Sequence, residues 1–124
     1  MSQSKTFGNE NMSEDLKTII IDALEDIKAD DILVMDVSKL TTVTDTMIVC
    51  SARSTRQLKA IANNVDVRCK EKGFRPLGIE GDPQTGWILV DLADAVVHIM
   101  LPETREFYQL EKLWEYEPKT RKQV

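Results

Sequence analysis

The chain has 124 residues, a net charge of −5 and an isoelectric point near 4.9. This length suits one domain with a real core, and no apolar run reaches the roughly 18 residues of a membrane span. The acidic balance argues against duplex nucleic acid, whose binders carry basic faces. It suits a basic protein partner through charge complementarity.

Residues 1–12 are polar and aperiodic and read as a disordered tail. The opening "MSQSKTFGNENMS" lacks the apolar core of a secretory signal and the arginines of a transit peptide. Ser13 is placed as the N-cap of a first helix, with Glu14 and Asp15 in the dipole-favoured first turn. Leu16, Ile19, Ile20, Ala23, Leu24 and Ile27 follow at helical spacing. "DILVMDV" predicts a strand and "SKLTTVTD" a polar loop. "TMIVCSA" predicts a strand apolar on both faces, the pattern of a sheet interior.

In "STRQ", Ser54 and Gln57 stand at capping-box spacing. Leu58, Ile61, Ala62, Val65 and Cys69 make the stripe of a second helix, and Gly73 follows as its natural terminator. "RPLGIEG" predicts a short third strand and "GDPQTG" a turn. "GWILVDLADAVVHIML" is too long for one ordinary strand. It splits into a hairpin over 87–92 and 95–101, turning at Ala93 and Asp94. Pro102 opens a last helix whose apolar face is Phe107, Leu110 and either Leu113 or Trp114. Pro118 and the basic end form a frayed tail. The order α-β-β-α-β-β-β-α predicts a single α/β domain, with a mixed sheet of about five strands and flanking helices.

The chemistry-bearing residues admit several readings. Cys50 and Cys69 form no C-x-x-C pair and sit in apolar patterns, so both read as reduced core residues. As a nucleophile, Cys50 would have only His98 for a base, the chain's one histidine. Asp91 and Asp94, three apart, have the spacing to flank a metal, but Asp94 is better explained by the turn. His98 shares a strand face with Val96 and Met100, where a lone histidine is usually structural. "GIEGDPQTG" has neither dinucleotide nor P-loop form. Trp87, Leu89 and Asp91 alternate onto one side of a strand. An indole beside a carboxylate fits an interface hot spot, but a tryptophan at a strand start is as often core. Spacing alone leaves the two readings level. No constellation here demands a cofactor, and the chemistry favours a binding protein over an enzyme.

Three segments carry a resemblance. "VTDTMIVCSARSTRQLKAIANNV", "GWILVDLADAVVHIMLPETREFYQLEKLW" and the first helix running into "ADDILVMDV" resemble the ribosomal silencing factor family, also called Iojap-like or RsfS. The likeness places the domain at 13–116, with a flexible tail at 117–124. It implies a nucleotidyltransferase-like fold without the catalytic residues, and a cytoplasmic homodimer with relatives in mitochondria and chloroplasts.

The resemblance further implies binding to the large ribosomal subunit through its fourteenth protein. That binding would block joining of the small subunit and repress translation. Neither a membrane nor sequence-specific nucleic acid enters. The docking residues carried over are Trp87 and Asp91, which match the motif directly, and Leu89 and Tyr108, which match in type. Two departures are Ala93, where relatives often have glycine, and Thr46, where an aromatic is usual. The rival readings are a large-subunit assembly factor using the same face, and a nucleotidyltransferase-like enzyme built on Asp91, Asp94 and His98.

Overall fold

The structure, a computed structural model, describes residues 8–110. Helix α1 (Gly8–Asp26) leads into strands β1 (Asp30–Asp36) and β2 (Thr46–Ser51), then helix α2 (Thr55–Glu71). Strand β3 (Gly78–Asp82), a 3₁₀ turn (Pro83–Thr85), strands β4 (Trp87–Asp91) and β5 (Ala95–Met100), and helix α3 (Pro102–Tyr108) follow. The five strands form one sheet in the order β1-β2-β5-β4-β3. Only β2 and β5 run parallel, so the sheet is mixed, as the sequence predicts.

Helix α1 starts at Gly8 and takes in residues expected in the tail, so Ser13 lies within the helix rather than at its cap. Extending a formed helix is cheap compared with starting one, and a serine inside costs only about 0.5 kcal/mol relative to alanine. The predicted stripes of both long helices hold. Leu16, Ile20, Ala23 and Leu24 of α1 are buried together with Leu58, Ile61, Ala62, Val65 and Cys69 of α2. They pack on Ile48, Cys50, Ile88, Val90, Val97 and Ile99 from the sheet, giving one continuous core. Strand β2 is buried along its whole length, as its two-sided apolarity requires.

Helix α2 has the predicted start, with one change of partner. Ser54 Oγ accepts from Gln57 N at 3.1 Å, but Gln57 Oε1 accepts from Arg53 N at 2.6 Å rather than from the cap residue's own amide. Gln57 Nε2 also donates to the Ile27 carbonyl at 2.9 Å, fastening the end of α1 to the start of α2. At the other end, Phe74 N reaches Cys69 O and Gly73 N reaches Lys70 O, with Gly73 at φ +90°. That is a Schellman close, which needs a left-handed residue at Gly73.

The third strand is displaced from the expected "RPLGIEG" to Gly78–Asp82. Pro76 has no amide to donate and disfavours compact backbone before it. The pairing therefore begins only with Leu77 N on Asp91 O, at 2.7 Å.

The hairpin turns where expected, with slightly shorter strands, and Ala93 takes φ +69°. An L-residue with a Cβ is strained there by about 1 kcal/mol. Ala93→Gly is therefore expected to raise the unfolding free energy by roughly 0.5–1 kcal/mol. Urea unfolding monitored by circular dichroism checks this, and a lowered midpoint contradicts it.

Helix α3 keeps its proline-led start, but Phe107, expected on its apolar face, is 79% exposed. Gln109 adopts φ +50° and ends the helix after Tyr108, which breaks the helical spacing that would have set Phe107 and Leu110 on one face. Leu110 does pack inward, while Leu113, Trp114 and Pro118 lie outside the described residues.

Candidate functional site

Side chains alternate across a strand, so β4 divides cleanly. Ile88 and Val90 face the helices and are buried, while Trp87, Leu89 and Asp91 face the other way and are half-buried. On that second face a smaller apolar group, Val37, Met47, Val49 and Met100, is covered by Leu40 and Leu110 and bordered by Trp87. Neither long helix lies on it. The level readings of the sequence resolve as a mixture: the indole is anchored by apolar neighbours at one edge while part of it remains open.

Two partners fix the indole. Its Nε1–H donates to His98 Nδ1 at 3.1 Å, with ring centroids 5.8 Å apart. Tyr108 lies against it at a centroid distance of 4.8 Å and is 51% exposed. Phe107 meets Tyr108 edge-on at 4.9 Å. These tilted and edge-on arrangements are the favoured ones for aromatic pairs. The three rings form an aromatic cluster that continues from the sheet face onto α3.

Tyr108 is in place because α3 is tied down. Arg105 Nη1 donates to Asp31 O at 2.7 Å and to Ser51 Oγ at 3.0 Å, linking the helix to β1 and β2. Thr104 Oγ1 donates to the Thr85 carbonyl at 3.3 Å, and Leu101 N to the Gly86 carbonyl at 2.9 Å. Gly86 sits at φ +80°, and a Cβ there would meet Thr104 Oγ1 at 2.6 Å. A Cβ there would displace the Thr104 side chain, and the left-handed backbone itself favours glycine.

The side-chain contact of the turn, expected of Asp94, is made by Asp91 instead. Asp91 Oδ1 accepts from Ala93 N at 2.9 Å, so it is Asp91 whose side chain closes the turn. Asp94 acts through its backbone, its carbonyl accepting from Asp45 N and Thr46 N. One oxygen of Asp91 is engaged in the turn.

His98 is 8% exposed, and burial lowers its pKa to about 4. It is therefore neutral at pH 7, and with Nδ1 accepting from the indole its proton resides on Nε2. Burial pushes the Cys50 thiol up to about 12 and the Cys69 thiol to about 11. Both thiols are free, buried and protonated, the opposite of an activated nucleophile. Among the described residues, no three of His, Cys, Asp and Glu are grouped to hold a metal. Asp91, Asp94 and His98 each serve a structural contact instead of converging on a common point.

Of the sequence-predicted site residues, Trp87 and Tyr108 are in ring contact, while Leu89 and Asp91 share the strand face of Trp87. The supports of the two rings, His98 and Arg105, are absent from the sequence expectation. The first was available from hairpin register: a turn centred at 93–94 sets Leu89 opposite His98, on Trp87's side of the sheet. Nothing in the sequence pairs Arg105 with Asp31.

Residues 10–124 match the family described as "Ribosomal silencing factor during starvation", RsfS. A ribosomal silencing factor from Chromobacterium violaceum is 48% identical over 101 residues, covering 82% of this chain and 83% of that protein. A solved structure from the same species superposes with a TM-score of 0.80 at 47% identity, covering 82% of this chain and 85% of that one. A mouse protein named "Mitochondrial assembly of ribosomal large subunit protein 1" is 36% identical over 101 residues, covering 77% of this chain and 43% of its own length. The mixed five-stranded sheet and its flanking helices are thus a fold shared with solved relatives, and the chain belongs to the RsfS family of ribosomal silencing factors.

Proposed function

We propose that this chain acts in the cytoplasm, as a homodimer, by binding the fourteenth protein of the large ribosomal subunit and holding off the small subunit. Trp87, Leu89, Asp91 and Tyr108 form the centre of the docking face. The observation that carries this reading is the aromatic cluster on the sheet face away from α1 and α2, where Tyr108 and Phe107 are exposed beside a supported indole. Anchored aromatics surrounded by polar groups are the usual composition of a binding hot spot. The chain's net charge of −5 complements a basic ribosomal protein.

The mechanism is steric. A factor seated on the joining face needs no bond chemistry, only occupancy that outlasts encounters between subunits. In a subunit-joining assay followed by light scattering, saturating protein is expected to suppress the rise in scattering when small subunits are added. An undiminished rise under those conditions rejects the proposal.

A second reading has its own support in the mouse relative's name, which assigns that protein to large-subunit assembly. Under that reading the same face docks earlier, on maturing particles. Immature large subunits accumulating in a deletion strain whose mature subunits join normally would favour it.

A further inference from the structure

We propose that His98 is a positioning residue of the docking face, holding the Trp87 indole in its binding orientation through an acceptor at Nδ1. The inference rests on the docking reading above and adds a residue that the sequence did not place in it.

The geometry carries it. His98 lies on β5 directly opposite Leu89, and Trp87 lies opposite Met100. The indole therefore reaches back diagonally across the strand pair to meet the imidazole, with Nε1–H on Nδ1 at 3.1 Å. Cross-strand diagonals are within reach of long aromatic side chains. Tyr108 is a second contact of the indole, 4.8 Å between centroids, so the ring is bounded by both the strand and the helix.

Only a neutral imidazole can accept here, since its protonated form donates from both nitrogens. Burial supplies that condition, as His98 is 8% exposed and holds no proton on Nδ1 near neutrality. Without the acceptor, the indole N–H would be left unsatisfied in a half-buried position. The ring would then rotate toward water and lose the orientation that its hydrogen bond selects. A prearranged anchor binds more tightly than a mobile one because less freedom is lost on docking.

Leucine and asparagine share the same branched skeleton of four heavy atoms, but only asparagine offers an acceptor at the δ position. Binding to purified large subunits is therefore compared for the wild type, His98→Leu and His98→Asn. The exchange of the Trp87 indole proton is followed by NMR and assigned by its absence in Trp87→Phe. His98→Leu is expected to bind roughly tenfold more weakly, with the indole proton exchanging as in free tryptophan. His98→Asn is expected to recover most of the binding and the slow exchange.

Equal binding by wild type and His98→Leu overturns the positioning role, as does His98→Asn no better than His98→Leu. Should His98→Leu fail to fold, the wild-type exchange decides: a Trp87 proton exchanging as fast as free indole overturns the proposal, and a protected one supports it. Wild type that leaves large subunits unbound overturns the docking reading instead, whatever the indole proton does.

Discussion

Acidifying the protein from pH 7 to pH 4 is expected to remove about 3 kcal/mol of folding stability through His98 alone. In the unfolded chain the imidazole titrates near 6.5, and in the folded protein burial lowers this to about 4. Between those values the unfolded state takes up a proton that the folded state refuses, so falling pH favours unfolding. Above pH 7 neither state carries the proton, and this dependence vanishes.

Two aspartates act in a lower window. Asp30 is held below the ordinary aspartate range by its hydrogen bond with Arg53, and Asp36 likewise by its hydrogen bonds from Ser38. Each carboxylate favours folding above its unfolded value, and that contribution is lost as pH falls through the folded one. Urea unfolding at a series of pH values separates the two windows. The midpoint is expected to decline from about pH 6.5 downward in wild type and to be nearly flat there in His98→Asn. A wild-type midpoint unchanged between pH 7 and pH 4.5 would show that His98 is not buried as described.

Replacing Trp87 by alanine is expected to weaken binding to large subunits by roughly 30-fold or more, corresponding to about 2 kcal/mol. The substitution removes the ring that Tyr108 lies against and the donor that His98 accepts. It also uncovers the apolar group around Met47, Val49 and Met100, so loss of stability accompanies loss of binding. Tyr108→Ala separates the two effects. Tyr108 is 51% exposed at the end of the short helix α3, so its removal leaves the core in place while taking one ring from the cluster. Weakened binding by a Tyr108→Ala protein that melts like wild type assigns the effect to the face. Normal binding by both variants would remove the aromatic cluster from the docking face.

What could be read from the sequence was what repeats. The stripes from Leu16 to Leu24 and from Leu58 to Cys69 recur at helical spacing, and the structure buries them together. The hairpin was legible because one turn must divide a run too long for a single strand, and alternation then set Trp87, Leu89 and Asp91 on one side.

What could not be read depended on single contacts between distant segments. The support of α3 by Arg105 spans 74 residues to Asp31, whose backbone takes φ +51° beside an irregularity in β1. No periodicity encodes such a contact. The late start of β3 follows from Pro76, a local signal that outranks the apolar pattern of "RPLGIEG". The division of labour between Asp91 and Asp94 depended on which carboxylate reaches the turn amide, and both residues suit a turn equally by type.

The most direct test of the central claim is binding to two preparations of large subunit, one complete and one lacking its fourteenth protein. In cosedimentation at fixed moderate salt, the chain is expected to pellet with the complete subunit, and the partner-lacking subunit is expected to leave it in the supernatant. Equal pelleting with both preparations would contradict the account, because the face built on Trp87, Leu89, Asp91 and Tyr108 would then be reading some other part of the ribosome.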